Sequence, residues 1–177
     1  MVKPIILVIA AIPAIIAILI AVSLITKSDI PYSAANPNDI VEIEYTKHQL
    51  KKISYGVTER IGAQKTEILL IHNNGEIKYT VTENGYPKPD VKSNLDDQTL
   101  RKLKALIKET GFISIPSELF PVRDNVTDFQ KSNIKITLNG RVNQISWPEQ
   151  NATDKFIPPI ISMVESQLDK ITERISE

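Results

Sequence analysis

The first pattern along the chain is an uncharged, largely apolar run at residues 4–25, flanked by Lys3 and Lys27. As a helix, at about 1.5 Å per residue, this run would extend roughly 33 Å, against a bilayer hydrocarbon core of about 30 Å. A secretory signal has a shorter apolar core, although the small residues Ala21 and Ser23 have the spacing of a cleavage site. The run therefore predicts a retained transmembrane helix, with cleavage as the open alternative.

Four small residues recur at helical spacing within this run and share one helix face: Ala10, Ala14, Ala17 and Ala21. Such a face lets a second helix approach closely, so it predicts a lateral packing surface; alanine is also common in ordinary membrane helices. Lys3 and the α-amino group precede the run, whereas Lys27 is soon followed by Asp29. This balance favours an N-terminus in the cytoplasm and a C-terminal domain outside the cell membrane.

After a tether rich in Pro, Asn and Ser at residues 28–39, the pattern takes the period of two that is typical of half-buried strands. It predicts one strand at residues 41–46 and a second at residues 53–57. Two further apolar alternations are each interrupted by Asn-Gly, at Asn74-Gly75 and Asn139-Gly140. Asn-Gly predicts a β-hairpin because a type I′ turn requires positive φ at both central residues.

A segment with helical periodicity follows each predicted hairpin. The first helix carries its leucines on one face and ends at Gly111, and the second begins at Pro158-Pro159. The order β-β-β-β-α-β-β-α predicts an α+β fold, with one antiparallel sheet of four to six strands and two helices on one face. The domains would be an anchor at residues 1–27, the tether at residues 28–39, and an extracytoplasmic domain at residues 40–177.

Composition narrows the classes of function. Without Lys3 and Lys27, the chain has 19 basic and 21 acidic residues, which argues against nucleic acid and anionic lipid as ligands. The absence of cysteine excludes disulfides, thiol chemistry and thiolate metal sites. We find no catalytic signature and predict no cofactor. Two sequons, which begin at Asn125 and Asn151, are candidate glycosylation sites in an exported domain.

The two histidines, His48 and His72, are the candidate metal ligands. Each stands near the end of a predicted strand, and neither has the i, i+4 partner of a helical zinc motif. If the strands paired suitably, the two imidazoles would meet and bind a metal ion. Single surface histidines at strand ends are the commoner explanation.

A basic ridge on the first predicted helix is a candidate surface for an acidic partner. It consists of Arg101, Lys104 and Lys108, away from the leucine face. A solvated helix face would carry the same residues.

The connection at residues 84–90 is a second candidate for partner binding. Pro87 and Pro89 stiffen it towards polyproline II, and Tyr86 supplies an exposed aromatic side chain that a partner can grip. A rigid crossover from the sheet to the helix is the alternative explanation.

Four segments of the domain resemble small, membrane-anchored, exported proteins of ammonia-oxidising archaea, a group of unknown function. They are "LLIHNNGEIKYTVTENGYPKP", "LKALIKETGFISIPSELFP", "KITLNGRVNQISW" and "FIPPIISMVESQLDKI". The resemblance covers roughly residues 50–172, and its motifs are turns and helix ends rather than catalytic signatures. It implies an exported domain in an archaeal envelope and brings no functional residues.

These patterns predict a non-enzymatic domain, held outside the cell by a single membrane span, that contacts another membrane or envelope protein. It would be an accessory subunit of a membrane complex or a cell-envelope module. The alternative is an exported protein that binds a metal or small ligand through His48 and His72.

Overall fold

The computed structural model describes residues 35–117 and 120–176, apart from the side chain of Tyr55. The predicted membrane helix, its alanine face and most of the tether lie outside these residues. Among the helices of the described ranges, none combines the length and the apolar character that a membrane span requires.

A seven-stranded antiparallel sheet and two helices make up the described domain, which confirms the α+β class. The sheet order is β4-β3-β2-β1-β6-β7, and β5 pairs with the free side of β3 next to β4. The strands are β1 (Val41–Tyr55), β2 (Thr58–Ile71), β3 (Glu76–Glu83), β4 (Tyr86–Pro87), β5 (Val91–Asn94), β6 (Asp128–Leu138) and β7 (Arg141–Pro148). The helices are α1 (Asp97–Glu109) and α2 (Pro159–Ser176).

The predicted number of four to six strands is wrong, because two predicted strands are one and two further strands were not predicted. The segments at residues 41–46 and 53–57 are not separate strands, because β1 continues without interruption to Tyr55 and Val57 lies in the turn that follows. Conversely, β4 and β5 escape prediction because they have only two and four residues, all with exposed side chains. No period of two develops over such short, uniformly exposed segments.

Both predicted hairpins form, as β2–β3 and β6–β7. Asn139 and Gly140 have φ values of 51° and 82°, as a type I′ turn requires. Asn74-Gly75 instead belongs to a longer loop, in which His72 donates its backbone N–H to the Glu76 carbonyl at 2.9 Å.

Alternating side chains of the strands form a buried face of the sheet. In β1 these are Val41, Ile43 and Tyr45, and the directly opposed residues on the neighbouring strands are also buried, namely Leu69, Ile71, Ile134 and Ile136. Removing this apolar surface from water is the main favourable term for folding, at about 25 cal/mol per Å². One polar cluster joins α1 to the residues before β1, and a second joins α2 to β1, β6 and β7.

The first cluster joins α1 to the point at which the tether enters the domain. The carboxylate of Asp39 accepts hydrogen bonds from Lys108 Nζ at 2.7 Å, Asn139 Nδ2 at 2.8 Å and the Asn36 backbone N–H at 2.8 Å. Lys104 Nζ donates to the Asp39 carbonyl at 2.7 Å and to Asn73 Oδ1 at 2.8 Å. Burial by itself would raise the pKa of Asp39, but the hydrogen bonds from Lys108 and Asn139 lower it to about 2.

The second cluster holds α2 on the sheet. Glu165 Oε1 accepts from Ser132 Oγ at 2.6 Å and Tyr45 OH at 3.3 Å, and its Oε2 accepts from Trp147 Nε1 at 3.3 Å. Tyr45 also donates to Asp169 at 2.8 Å. Burial and these two carboxylates raise the pKa of Tyr45, so the phenol stays protonated and keeps its role as donor.

Candidate interaction surface

A two-stranded extension projects from one end of the sheet, and we call residues 52–61 the β-arm. The pairing of β1 with β6 ends at Lys51, and the pairing of β2 with β3 ends at Lys65. Beyond Lys52, whose backbone N–H donates to the Thr127 carbonyl at 2.6 Å, the arm residues pair with each other, for example Ile53 with Arg60. At about 3.3 Å per residue, the arm reaches roughly 15 Å beyond Lys51.

A β-bulge forms the base of this arm. Gln49 pairs with Lys65 but Leu50 pairs with Ala63, so Gln64 is an extra residue in β2. The Asn84 backbone N–H donates to the Gln64 carbonyl at 2.7 Å, where β3 ends. Bulges increase the local twist and bend the strand that contains them, and here the bulge marks the point at which the arm leaves the sheet.

The arm exposes apolar side chains that its own domain does not cover. Val57, in the turn at the tip, is fully exposed, and Ile61 is 60% exposed. Single exposed apolar residues are ordinary, but these two stand on a projection whose neighbouring strands have already ended. The arm carries Lys52 and Arg60 against one acidic residue, Glu59, and Lys52 is paired with Glu59 at 2.5 Å, so Arg60 is its excess cation.

The predicted aromatic residue, Tyr86, lies at this same end of the sheet. The strand register forms one row across four strands: Gln49 opposes Lys65, Lys65 opposes Glu83, and Glu83 opposes Tyr86. The turn that positions Tyr86 is another Asn-Gly pair, Asn84-Gly85, with φ values of 50° and 84°. Tyr86 is 79% exposed, which agrees with the expected exposed aromatic; its contact with a partner stays a prediction.

The connection that was expected to stiffen towards polyproline II begins with a short strand. Tyr86 and Pro87 form β4 instead, and Lys88 donates its backbone N–H to the Val81 carbonyl at 2.8 Å. Proline is tolerated here because β4 is an edge strand and needs no second hydrogen-bond partner. Pro89 is exposed in the connection to β5.

Three ion pairs neutralise charges on the sheet near the base of the arm. Lys47 Nζ lies 2.8 Å from Asp169, Lys65 Nζ lies 3.0 Å from Glu67, and Lys88 Nζ lies 2.9 Å from Glu83. Tyr79 donates a hydrogen bond to Glu67. Burial would raise the pKa of Glu67, but the bonds from Tyr79 and Lys65 lower it.

The basic ridge predicted on α1 is wrong, although Arg101 is exposed. Lys104 is buried and Lys108 is paired with Asp39, so these two ammonium groups hold the start of β1 rather than face a partner. Their long apolar stems lie along the helix while their charged ends reach backbone and side-chain oxygens. Only Arg101 retains the predicted availability to a partner.

The two histidines do not approach each other. His48 lies directly opposite Thr66, which is six positions from His72 along β2, so the two imidazoles are roughly 20 Å apart. His48 Nδ1 is 2.9 Å from Thr66 Oγ1, and burial together with Lys131 lowers the pKa of this histidine. The expectation that His48 and His72 meet at one metal ion is therefore wrong. Across the described parts of the chain, no three His, Asp or Glu side chains are grouped to hold a metal.

Both sequon asparagines are exposed. Asn125 lies in the loop before β6, and Asn151 lies in a short 3₁₀ turn at Gln150–Ala152. The exposure leaves each amide accessible for modification, and glycosylation itself stays a prediction.

The comparisons with known proteins add no family to this geometry. No protein-family model matches the chain, and a search of curated proteins finds no match. The arm, Tyr86 and their surroundings are therefore the basis for a functional proposal.

The sequence patterns did not predict the arm, because Gly56, with a φ of 66°, was the only turn signal between two long strands.

Proposed function

We propose that this chain is a non-enzymatic interaction domain, held at the cell membrane by residues 4–25, that binds another membrane or envelope protein outside the cell. The β-arm and Tyr86 would form the contact. The observation that carries the proposal is the projection of a paired β-ribbon, with exposed Val57 and Ile61, beyond the strands on both sides of it. The arm contributes little to the core of its own domain, so its apolar side chains are available for burial against a second protein.

The composition of the arm supports a specific kind of partner. Because Lys52 is paired with Glu59, Arg60 is the excess cation of the arm, in contrast with the slight acidic excess of the predicted exported chain. We therefore favour a partner protein with an apolar pocket for Val57 and Ile61 and a carboxylate beside it for Arg60. Apolar anchors fix affinity in such interfaces, whereas complementary charge mainly steers association.

The position of the arm within the domain also supports this proposal. β1 begins beside Asp39, where the tether enters, and ends at the tip of the arm. Its 15 residues would extend roughly 45 Å if fully regular. The arm and Tyr86 thus lie at the end of the sheet opposite the entry of the tether, away from the residues that the tether contacts.

The hydrogen-bonded pair Ser132 and Glu165 resembles a nucleophile with its base, but its surroundings favour a structural role. Ser132 and Glu165 are 2.6 Å apart, as a nucleophile and a base could be. Ser132 is, however, only 2% exposed, and Glu165 is already an acceptor for Tyr45 and Trp147 as well. A substrate would have no access to the Ser132 hydroxyl, and this supports the interpretation of the domain as non-enzymatic.

Purification of the full-length protein from native membranes in mild detergent tests the proposal. We expect the wild type to retain a partner in stoichiometric amount. A Val57→Ser/Ile61→Ser double variant should recover at least about tenfold less, because the loss of two buried apolar anchors exceeds the 1.4 kcal/mol that a tenfold change in affinity represents. Mass spectrometry of the co-purified proteins gives the measurement.

Val142→Ser is the matched control, since Val142 is 58% exposed but lies on β7 at the other edge of the sheet. It should leave partner recovery unchanged. Equal recovery by the arm double variant would overturn the role of the arm, and a wild-type protein that is purified alone would overturn the proposed function.

A further inference from the structure

β5 leaves one backbone edge open at the side of the sheet. The Leu95 N–H donates to the Gly75 carbonyl at 2.8 Å, so the backbone of Leu95 points towards the β3 side. Because successive residues of a strand point their N–H and C=O groups to opposite edges, those of Lys92 and Asn94 point outward. No strand in residues 35–117 or 120–176 pairs with this outer edge.

A cleft of about 250 Å³ lies beside this edge, between β5 and the last turns of α2. Its apolar lining comes from β3, β5, the residue that follows β5, and α2, and it consists of Ile77, Val91, Leu95, Ile171 and Ile175. Ser93 lies between the apolar positions on the strand side. The register places Val91 opposite Tyr79 and Ser93 opposite Ile77, so both side chains are on the face of the sheet that α2 covers.

Arg174 supplies a cation at this cleft. Within the described ranges, no hydrogen bond or ion pair to Arg174 is formed, in contrast to Lys47 and Lys65, which are both paired with carboxylates. Guanidinium groups bind carboxylates through two parallel hydrogen bonds. The cleft therefore combines an open strand edge, an apolar lining and an available cation.

We propose that β5 and the end of α2 bind an extended peptide segment of another protein by strand addition. The peptide would pair with the outward backbone groups of Lys92 and Asn94. It would place an apolar side chain against Ile171 and Ile175, and a carboxylate on Arg174. Backbone pairing contributes affinity in this binding mode, and the side-chain pocket beside the strand contributes specificity.

An extended peptide fits these observations better than a compact ligand. The cleft is smaller than the roughly 300–1,000 Å³ of typical small-molecule sites, so it suits one or two side chains. Lys92 and Asn94, whose N–H and C=O groups point outward, themselves line the cleft, so a peptide backbone that enters it can pair with them. This site lies on β5 and α2, and it is independent of the β-arm.

A random library of seven-residue peptides with free C-termini tests the proposal against the full-length protein in detergent micelles. We expect selection of peptides with apolar residues at alternate positions and a carboxylate near one end. A selected peptide, labelled with a fluorophore, then reports affinity by anisotropy. Lys92→Pro should weaken binding by at least about tenfold, because it removes one outward N–H while the bonds to β3 remain.

Lys92→Ala is the matched control, since it removes the same side chain and keeps the N–H, and it should bind within about twofold of the wild type. Ile175→Ser provides a second test that leaves the strand intact, with an expected loss of at least about fivefold. Arg174→Gln should weaken peptides that carry the carboxylate and leave their amide analogues unchanged. The arm variant Val57→Ser/Ile61→Ser should bind the peptide normally.

Failure to enrich any peptide over empty micelles would overturn the proposal. Equal binding by Lys92→Pro and Lys92→Ala, with Ile175→Ser also unaffected, would do the same. Because the arm variants test the proposed function separately, failure at the cleft leaves that proposal standing, and the reverse also holds.

Discussion

Replacing Asp39 with alanine is expected to lower the free energy of unfolding by about 3 kcal/mol. The carboxylate is buried and accepts hydrogen bonds from Lys108, Asn139 and the Asn36 backbone, so its removal leaves a cation without its partner. Breaking one side of a buried pair typically costs about 3–5 kcal/mol. Urea denaturation, followed by the fluorescence of Trp147, gives the measurement, because this sole tryptophan is buried in the core.

Asp154→Ala is the control for this prediction, since Asp154 is an exposed carboxylate whose contact with Arg123 is 3.8 Å. It should change the free energy of unfolding by less than about 0.5 kcal/mol. A loss of the same size in both variants would mean that the Asp39 cluster has no special contribution.

The same carboxylate should make stability depend on acid. Its pKa is about 2 in the folded protein, against 3.8 for an ordinary aspartate. Since the folded-state value is depressed, the stabilisation is complete above the unfolded pKa and is lost as the pH falls from about 4 towards 2. The difference amounts to at most about 2 kcal/mol, at 1.36 kcal/mol per pH unit. Subtracting the pH profile of Asp39→Asn from that of the wild type isolates this contribution, and parallel profiles would contradict it.

Replacing Glu165 with alanine is the second change for which we expect a large loss, of about 3 kcal/mol. Ser132 and Trp147, each only 2% exposed, would lose the acceptor that they share. A buried donor without a partner costs about 1–3 kcal/mol. The loss should appear as a lower urea midpoint with an unchanged slope, because the native domain stays compact.

Two variants on the same helix calibrate this result. Glu165→Gln keeps an acceptor oxygen and nearly the same volume. Its loss of stability should therefore be at most half of the loss in Glu165→Ala. Glu173→Ala removes an exposed carboxylate and should be nearly neutral. If Glu165→Ala were as stable as Glu173→Ala, the cluster would not be what holds α2 on the sheet.

Short-range patterns predicted most of the regular structure. The Asn139-Gly140 turn and the limits of α1 follow from interactions among residues two to four positions apart. Asp96, for example, accepts the Thr99 backbone N–H at 2.8 Å, as a helix-capping residue does. The shortest strands, β4 and β5, could not be predicted this way, because pairing with β3 is what makes them strands.

The candidate site was predicted only in part. Tyr86 was identified as an exposed aromatic residue, because its proline neighbours and its position between two elements are local features. The β-arm was not identified, since an arm exists only where the flanking strands stop before the central pair does. The separation of His48 and His72 likewise depends on the register of β1 with β2, which no single strand specifies.

The sequence by itself determined the class of the fold, the hairpins, the two helices and an apolar segment long enough for a membrane span. Only the tertiary structure decided which lysines are buried, how far the arm projects and where a strand edge remains open. Lys104 and Lys108 show the physical reason. Whether a lysine faces water or a carboxylate depends on what lies opposite it, and Asp39 stands 69 positions before Lys108 in the chain. Periodicity reports which residues can share a face, whereas the partner of that face is fixed by packing between distant segments.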